Sequence, residues 1–552
     1  MNKLSRRRFL KLSACAPAAA PWLAAAEPEE YDLVIYGATS AGVIAAAQAA
    51  ALGLSTALLE PSRHVGGMTT GGLGQTDIGN KAAIGGMARE FYRRIRRYYS
   101  NPSRWKRQKP EEYRSAGQSF TERREDTMWT FEPSAAAAVF RDILGEAGIT
   151  PRTEEPLPAR GGVERSGSRP ARLLSLRSAS GRRYRARMFI DATYEGDLLA
   201  QAGASYTVGR ESNRVYGETL NGVQTAQAKH HQLRPGVDPY RRAGDPSSGL
   251  LPGIDPAGPG QEGAGDRRVQ AYCFRLCLTD HPENRIPFFQ PTGYREEDYE
   301  LLFRNFEAGE TAVPWNNSPM PNRKTDINNN HGVSTDFIGQ NYRYPEAGWA
   351  ERAAIIARHR RYQQGLLWTL ANHPRVPASV RREVSRWGYC RDEFVETGGW
   401  PPQIYVREAR RMLGDYVMTQ HNCQGRARAP DPVGLAAYTM DSHNVQRYVN
   451  AKGWARNEGD VQVGGFPPYP ISFRAIVPRR EECANLLCPT CLSASHIAFG
   501  SIRMEPVFML LGQSAACAAA LAIRERTRVQ DIPYPRLRRM LLDAEQRLEW
   551  KG

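Results

Sequence analysis

The chain has 552 residues, room for two to four domains at roughly 150 residues each. Its composition, 41% hydrophobic, 24% charged and 9% aromatic, is that of a soluble globular protein and excludes a disordered or fibrous one, while 50 glycines and 38 prolines without a period exclude collagen and allow a loop-rich enzyme. The formal charge of +16 would suit a nucleic-acid partner, but five of those charges (Lys3, Arg6, Arg7, Arg8, Lys11) lie in a removable segment, leaving +11, most of it evenly spread arginine that identifies no partner.

In chain order, Ser5-Arg6-Arg7-Arg8-Phe9-Leu10-Lys11 precedes a weakly apolar stretch that ends at Ala24-Ala25-Ala26. A charged start, a short apolar region and a small-residue end make a secretory signal. The string resembles a twin-arginine export signal, a route for proteins already folded, usually with their cofactor loaded. The resemblance implies a periplasmic or otherwise exported protein that loses residues 1–26. Leu12-Ser13-Ala14-Cys15 also fits a lipobox, which leaves lipid anchoring at Cys15 as a lesser alternative. No later segment offers 18 uninterrupted apolar residues, so no membrane span is expected.

Eight cysteines follow Cys15, too sparse for a disulfide scaffold. Cys273-x3-Cys277 and Cys488-Pro489-Thr490-Cys491 stand out, and the second spacing would suit a thiol relay. Buried packing is the plainer reading of both. No spacing suggests a metal site.

Tyr31-Asp32-Leu33-Val34-Ile35-Tyr36 is a buried strand, Gly37-Ala38-Thr39-Ser40-Ala41-Gly42 a turn opening an alanine-rich helix to about Leu52, and Ser55–Leu59 a second strand ending at Glu60. This is the order of a Rossmann unit. Gly37 allows the tight turn, Gly42 the close packing of the helix, and the helix N-terminus offers N–H groups to a pyrophosphate. Glu60 stands where a carboxylate accepts ribose hydroxyls. Thr39 replaces the middle glycine of G-x-G-x-x-G, and no second such motif exists for a nicotinamide.

Gly66-Gly67-Met68 then follows the acid; Phe189-Ile190-Asp191-Ala192-Thr193 forms a further strand and turn; and Ser495-His496 to Glu505-Pro506 leads into an apolar helix, Val507–Ala522, containing Gly512. On these motifs the chain resembles the FAD-dependent oxidoreductases that share the glutathione-reductase-type FAD fold, over nearly the whole chain after residue 26. The resemblance implies an FAD cofactor and carries its binding onto Gly37, Thr39, Ser40, Ala41, Gly42, Glu60, Gly66, Gly67, Met68, Asp191, Ala192, Thr193, Ser495, Glu505 and Gly512. The expected fold is α/β: a Rossmann-like FAD-binding domain in two parts, 27–205 (with a β-meander over 151–188) and 478–552, around an inserted α+β substrate or cap domain at 206–477. The positive end of the helix after Pro506 is expected to face the flavin pyrimidine.

The arginine- and aromatic-rich stretch 80–125 reads as a solvated helix face and not as a nucleic-acid site. Helices are expected over Pro133–Ala147, Ala350–Leu370 and Gln403–Val417, and residues 235–268 read as a loop or lid. Within the insertion, Asn328-Asn329-Asn330-His331-Gly332 offers amides to a polar ligand. Arg407 and Arg411 would share a helix face and clamp an anion. Asp441-Ser442-His443 places acid and histidine on one side of an extended segment. His496, inside the flavin-lining motif, is the first candidate for a base and His443 the second; His64 raises covalent flavin attachment. The favoured reaction is dehydrogenation of a polar alcohol or sugar-like small molecule by hydride transfer to flavin N5, with a separate electron acceptor. The alternatives are chemistry at a carbon–carbon bond beside a carboxylate, with Arg407 and Arg503 as clamps, and electron transfer to a protein partner through Cys488 and Cys491.

Overall fold

The computed structural model describes residues 28–117 and 126–551; the export-signal and lipobox readings lie outside them. β1 (Glu29–Tyr36) leads through the glycine turn into α1 (Ser40–Ala51) and back to β2 (Thr56–Leu59). β1 pairs in parallel with β2 and, on its other side, with β5 (Arg183–Asp191), so Tyr36 lies opposite both Leu59 and Asp191. β3 (Val163–Arg165) and β4 (Leu173–Arg177) extend the sheet antiparallel to the first half of β5, giving the order β2-β1-β5-β4-β3. Leu486–Leu487, nearly 300 residues on, adds parallel to the last residues of β5. The carboxyl ends of β1, β2 and β5 thus open on one edge, where ligands of such sheets bind.

α1 is apolar all round and buries its first ten residues, which places it inside the molecule. Its partner is the helix Glu505–Glu525. A Cβ on Gly512 would come within 2.2 Å of the Ala41 carbonyl, so glycine is what lets these two helices touch backbone to backbone. Glu505–Glu525 is long and apolar enough to cross a membrane, with mean hydropathy 1.8, but its apolar window is wholly buried in the fold. It is a core helix.

The segment from 206 to 477 builds a five-stranded antiparallel sheet, in the order Arg285–Ile286, Gly388–Cys390, Leu276–Thr279, Lys324–Asn329, Trp315–Met320. The helix Trp349–Asn372 accompanies it, and an interrupted hairpin runs from Pro432 to Ser472. The stretch expected as a loop over 235–268 contains a short hairpin, Tyr240–Arg242 against Asp245–Leu250.

One expected helix is absent. Residues 403–417 run extended, with Tyr405 bridged to Cys273 and Arg411–Met412 paired to Thr207 and Tyr206. Helical propensity there is overridden because Arg407, Glu408 and Arg411 are each buried against a different distant partner: Asp336, His496 and Glu211. A helix would put Arg407 and Arg411 on one face; the extended chain turns them apart, so they form no shared clamp.

Candidate active site

The dinucleotide end rests on close backbone contacts at its glycines. Gly37 has φ +102°, and a Cβ there would lie 2.7 Å from the Thr193 nitrogen; one on Gly42 would lie 1.9 Å from the Gly37 carbonyl. Thr39, where the motif expects glycine, caps α1: its hydroxyl donates to the Ala192 carbonyl at 2.7 Å and accepts from the Gly42 N–H at 3.4 Å. The first-turn N–H groups of Ser40 and Ala41 have no intrahelical acceptor. Glu60 is fixed by the Ala38 N–H on Oε2 (2.8 Å) and by the Ser62 N–H and hydroxyl on Oε1 (2.9 and 2.7 Å). Burial raises its pKa against those hydrogen bonds.

Gly66 and Gly67 both have positive φ, and a Cβ on Gly67 would strike the Tyr194 hydroxyl, which itself accepts the Met68 N–H at 2.9 Å. Glu505 is the centre of this end. It accepts hydrogen bonds from the hydroxyls of Ser40 (2.6 Å), Thr69 (2.7 Å) and Tyr194 (2.8 Å), and burial raises its pKa. The positive end of its helix therefore already faces a carboxylate of its own, which the sequence alone did not anticipate.

Other expected contacts act at one remove. Asp191 accepts the Thr193 N–H and hydroxyl and the Leu199 N–H; burial raises its pKa to about 6. It shapes the turn that brings Ala192 and Thr193 against Gly37. Ser495 caps the helix His496–Ile502 and donates to Glu218 at 2.6 Å, and Gly512 sets the helix contact described above. Gly37, Gly42 and Gly67 thus let the backbone pack against Thr193, the Gly37 carbonyl and the Tyr194 hydroxyl, contacts a single added methyl would break, beside the helix N–H groups of Ser40 and Ala41 and the fixed Glu60 carboxylate. These residues fit FAD. Replacing Gly42 by Val is expected to yield protein without bound flavin, read as loss of flavin absorbance relative to protein absorbance.

The second element is a cleft of about 340 Å³, lined by Asp77, Arg275, His231, Tyr438, Asp441 and His443, with Asn328 and Asn329 at its wall. Residues from both parts of the chain meet here. His443 directly follows the strand Met440–Ser442. Its Nδ1 is 2.7 Å from Asp336 Oδ2, and its Nε2 lies 3.7 Å from Asp441 Oδ2 on the cleft side. Burial and then the Arg407 charge hold the His443 pKa below the ordinary histidine value. Burial opposes ionisation of Asp336, yet Arg407 (2.9 Å) and His443 hold its carboxyl well below the usual range. A neutral imidazole with Nδ1–H donated to Asp336 follows from this network, leaving the Nε2 lone pair toward the cleft.

Arg407 itself is wholly buried, donates to the Ala271 carbonyl, forms an ion pair with Asp336 and does not line the cleft. Arg503 donates to the Tyr405 hydroxyl at 2.8 Å and to the Asp441 carbonyl at 3.2 Å, with the Asp441 carboxylate 3.5 Å away; the Tyr405 ring lies 4.7 Å from the Arg407 guanidinium and 5.6 Å from that of Arg503. Arg275, which no motif singles out, grips Asp326 bidentately (2.8 and 2.6 Å) and leaves its buried Nη1 without a partner. An unpaired buried donor at a cleft wall is suited to a ligand oxygen.

His496 takes a different place from the one expected. Its Nδ1 is held by Glu408 (2.8 and 3.0 Å), its Nε2 by the hydroxyl of Ser442, the residue before His443, at 3.0 Å, and the ring is buried. Burial opposes ionisation of Glu408, but His496, Arg411 and Gln270 together hold its carboxyl below the ordinary value. With both ring nitrogens engaged, His496 supports Ser442 and has no free nitrogen for a substrate proton. His64, also considered, bonds the Gly67 carbonyl at 2.9 Å and the Thr70 hydroxyl at 3.0 Å.

Cys488 and Cys491 are buried free thiols whose pKa values burial pushes well up, and Cys491 donates to the Thr193 carbonyl at 3.2 Å. Cys277 faces Cys390 on the neighbouring strand, Sγ to Sγ 3.6 Å, and not Cys273.

Beyond the cleft, Asp460 is 4.0 Å from His231, and burial, reinforced by the Asp441 charge, raises its pKa to about 8. The unfolded carboxyl titrates near 3.9, so between about pH 4 and 8 the folded state holds a proton that the unfolded state lacks. This residue therefore lowers stability increasingly as pH rises through that window. Asp460→Asn is expected to raise the melting temperature relative to wild type by an amount that grows from pH 4 to 8 and then levels, measured by thermal unfolding across pH.

The family of FAD dependent oxidoreductases matches residues 32–541. This chain belongs to that family. Its cofactor is FAD and its class is oxidoreductase. No curated protein sequence matches the oxidoreductase. Solved structures that resemble it include a geranylgeranyl bacteriochlorophyll reductase-like protein from Thermoplasma acidophilum (11% identity, 94% of this chain, 85% of that one, TM-score 0.34). Others are the THI4 protein of Thermovibrio ammonificans (17%, 33% and 66%, 0.23) and the anhydrotetracycline hydroxylase OxyS of Streptomyces rimosus (14%, 33% and 36%, 0.21). The match thus spans about a third of the hydroxylase's length, and at these TM-scores none of the three bears on the oxidoreductase's cleft.

Proposed function

We propose that this FAD-dependent oxidoreductase dehydrogenates a polar, hydroxyl-bearing small molecule of sugar or polyol type in the cleft beside His443. The observation that carries the reading is the Asp336–His443 pair: one ring nitrogen is fixed by a carboxylate and the other is turned to a polar cleft. A histidine so held is a base for a hydroxyl proton. Asn328, Asn329 and Asp77 suit hydroxyl groups, and the unpaired Arg275 Nη1 suits a substrate oxygen. When bound, FAD supplies an acceptor for a hydride at its N5. The chain's own part is to orient the C–H bond, take the hydroxyl proton at His443 Nε2, and retain it as an imidazolium beside Asp336 and Asp441.

On the same reading, Ser40 and Ala41 present N–H groups to the pyrophosphate, Gly42 lets the helix start close to it, Glu60 meets the adenosine ribose, and Gly66–Met68 pass the flavin end, in the glutathione-reductase arrangement. The arginine-rich leader supports export to the periplasm, testable by locating the full chain after cell fractionation. A second reading, chemistry at a carbon–carbon bond beside a carboxylate, is favoured by Arg275 and Arg503, each with an unpartnered buried nitrogen. Anaerobic mixing separates the two: bleaching of the flavin by sugars or polyols supports the first reading, and bleaching by dicarboxylates alone supports the second.

A further inference from the structure

A second cavity, of about 170 Å³, lies within the inserted segment, apart from the cleft. Its walls come from the 252–253 loop, the turn 293–299, the helix Trp349–Asn372 and the strand Gln446–Val449. Its chemistry is unbalanced. Arg447 is buried, with 8% exposure, and its guanidinium meets only neutral groups: Nε donates to the Asn457 amide oxygen at 2.8 Å and Nη2 to the Gly332 carbonyl at 2.9 Å. No carboxylate among the described residues pairs with it, and burial lowers its pKa. Buried arginine is ordinarily paired, as Arg210, Arg275, Arg352 and Arg407 are in this chain.

Two more guanidinium groups, Arg358 and Arg361, stand exposed at the rim, also without a carboxylate partner among the described residues. The two acids that line the cavity are already engaged: Asp298 with Arg295 and Asp336 with Arg407. Tyr362 lies at the centre of an aromatic stack, 4.1 Å from the ring of Phe337 and 5.9 Å from that of Tyr299.

We propose that this cavity is a binding site for a small oxyanion, a carboxylate or phosphate, held at its floor by Arg447 and drawn in by Arg358 and Arg361. The site shares no lining residue with the cleft, although Asp336 in its wall also holds His443, and the proposal does not depend on the reaction assigned there. An oxyanion supplies the acceptors that the Arg447 guanidinium lacks, and the aromatic wall gives a carboxylate on a planar ring an advantage over inorganic phosphate.

The test is calorimetric titration of the FAD-loaded protein with inorganic phosphate and, separately, benzoate, in chloride buffer of constant ionic strength. Wild-type protein is expected to bind at least one of the two saturably at one site, with Arg447→Gln and Arg361→Gln each weakening binding tenfold or more while flavin absorbance is retained. Arg361 is exposed, so its variant decides the matter even where Arg447→Gln fails to fold. Tighter binding of benzoate identifies an organic carboxylate as the occupant, and tighter binding of phosphate the inorganic ion. Absence of saturable binding to both probes, or equal affinity in wild type and Arg361→Gln, overturns the proposal.

Discussion

His443→Gln is expected to lower the rate of substrate-dependent flavin reduction by about 10²–10⁴-fold, the range that a positioned base supplies, while FAD stays bound. The glutamine side chain keeps a polar group toward Asp336 but takes no proton at cleft pH. The acid limb of the wild-type rate profile follows the same base. Burial and Arg407 hold the His443 pKa below its ordinary value of about 6.5, so the base stays deprotonated, and the rate stays high, into mildly acidic solution. Stopped-flow reduction across pH reads both effects. Asp336→Asn provides the control: the imidazole loses the carboxylate that fixes its tautomer, an amide NH2 can favour the other one, and the rate falls with the histidine still present.

The second large effect is Arg407→Gln. This guanidinium is buried against Asp336 at 2.9 Å, and removing it leaves a buried carboxylate without its strongest partner. Breaking one side of such a pair costs about 3–5 kcal/mol, measurable as a lower midpoint in denaturant unfolding. The sign with pH is fixed by Asp336, whose folded pKa is depressed. Its contribution is fully present above the unfolded value of about 3.9 and is lost only as pH falls through the folded one, so the deficit of the variant is fully expressed at neutral pH. Arg407 also lowers the His443 pKa; without it, the acid limb of the rate profile is expected to move toward neutral pH.

The two substitutions draw on parts of the site that were unequally legible in the sequence. The glycine turn, Glu60 and the strand–helix–strand order are local patterns, and the structure sets them in the parallel part of one mixed sheet. The Asp441–His443 proximity was legible because side chains two apart on an extended segment share a face. Asp336 was not: it lies 107 residues before His443, in a stretch with no motif. Arg275 was hidden in the same way, 51 residues from Asp326. The stretch 403–417 misled because its local composition favours helix, whereas burial of its charged side chains against three separate partners decides its path. His496 misled differently. Proximity in sequence to the cofactor motif does not say which way a ring points, and Glu408 and Ser442 occupy both its nitrogens.

The cleft histidine and the buried histidine now make opposite claims on the chemistry, and one comparison separates them. Under anaerobic single-turnover conditions with a substrate that bleaches the wild-type flavin, His443→Gln is expected to slow bleaching by at least about 10²-fold, with full FAD content. His496→Gln is expected to keep a rate within a few-fold of wild type and to act chiefly on stability. Bleaching at the wild-type rate in the His443 variant, with the large loss falling on the His496 variant, would contradict the account.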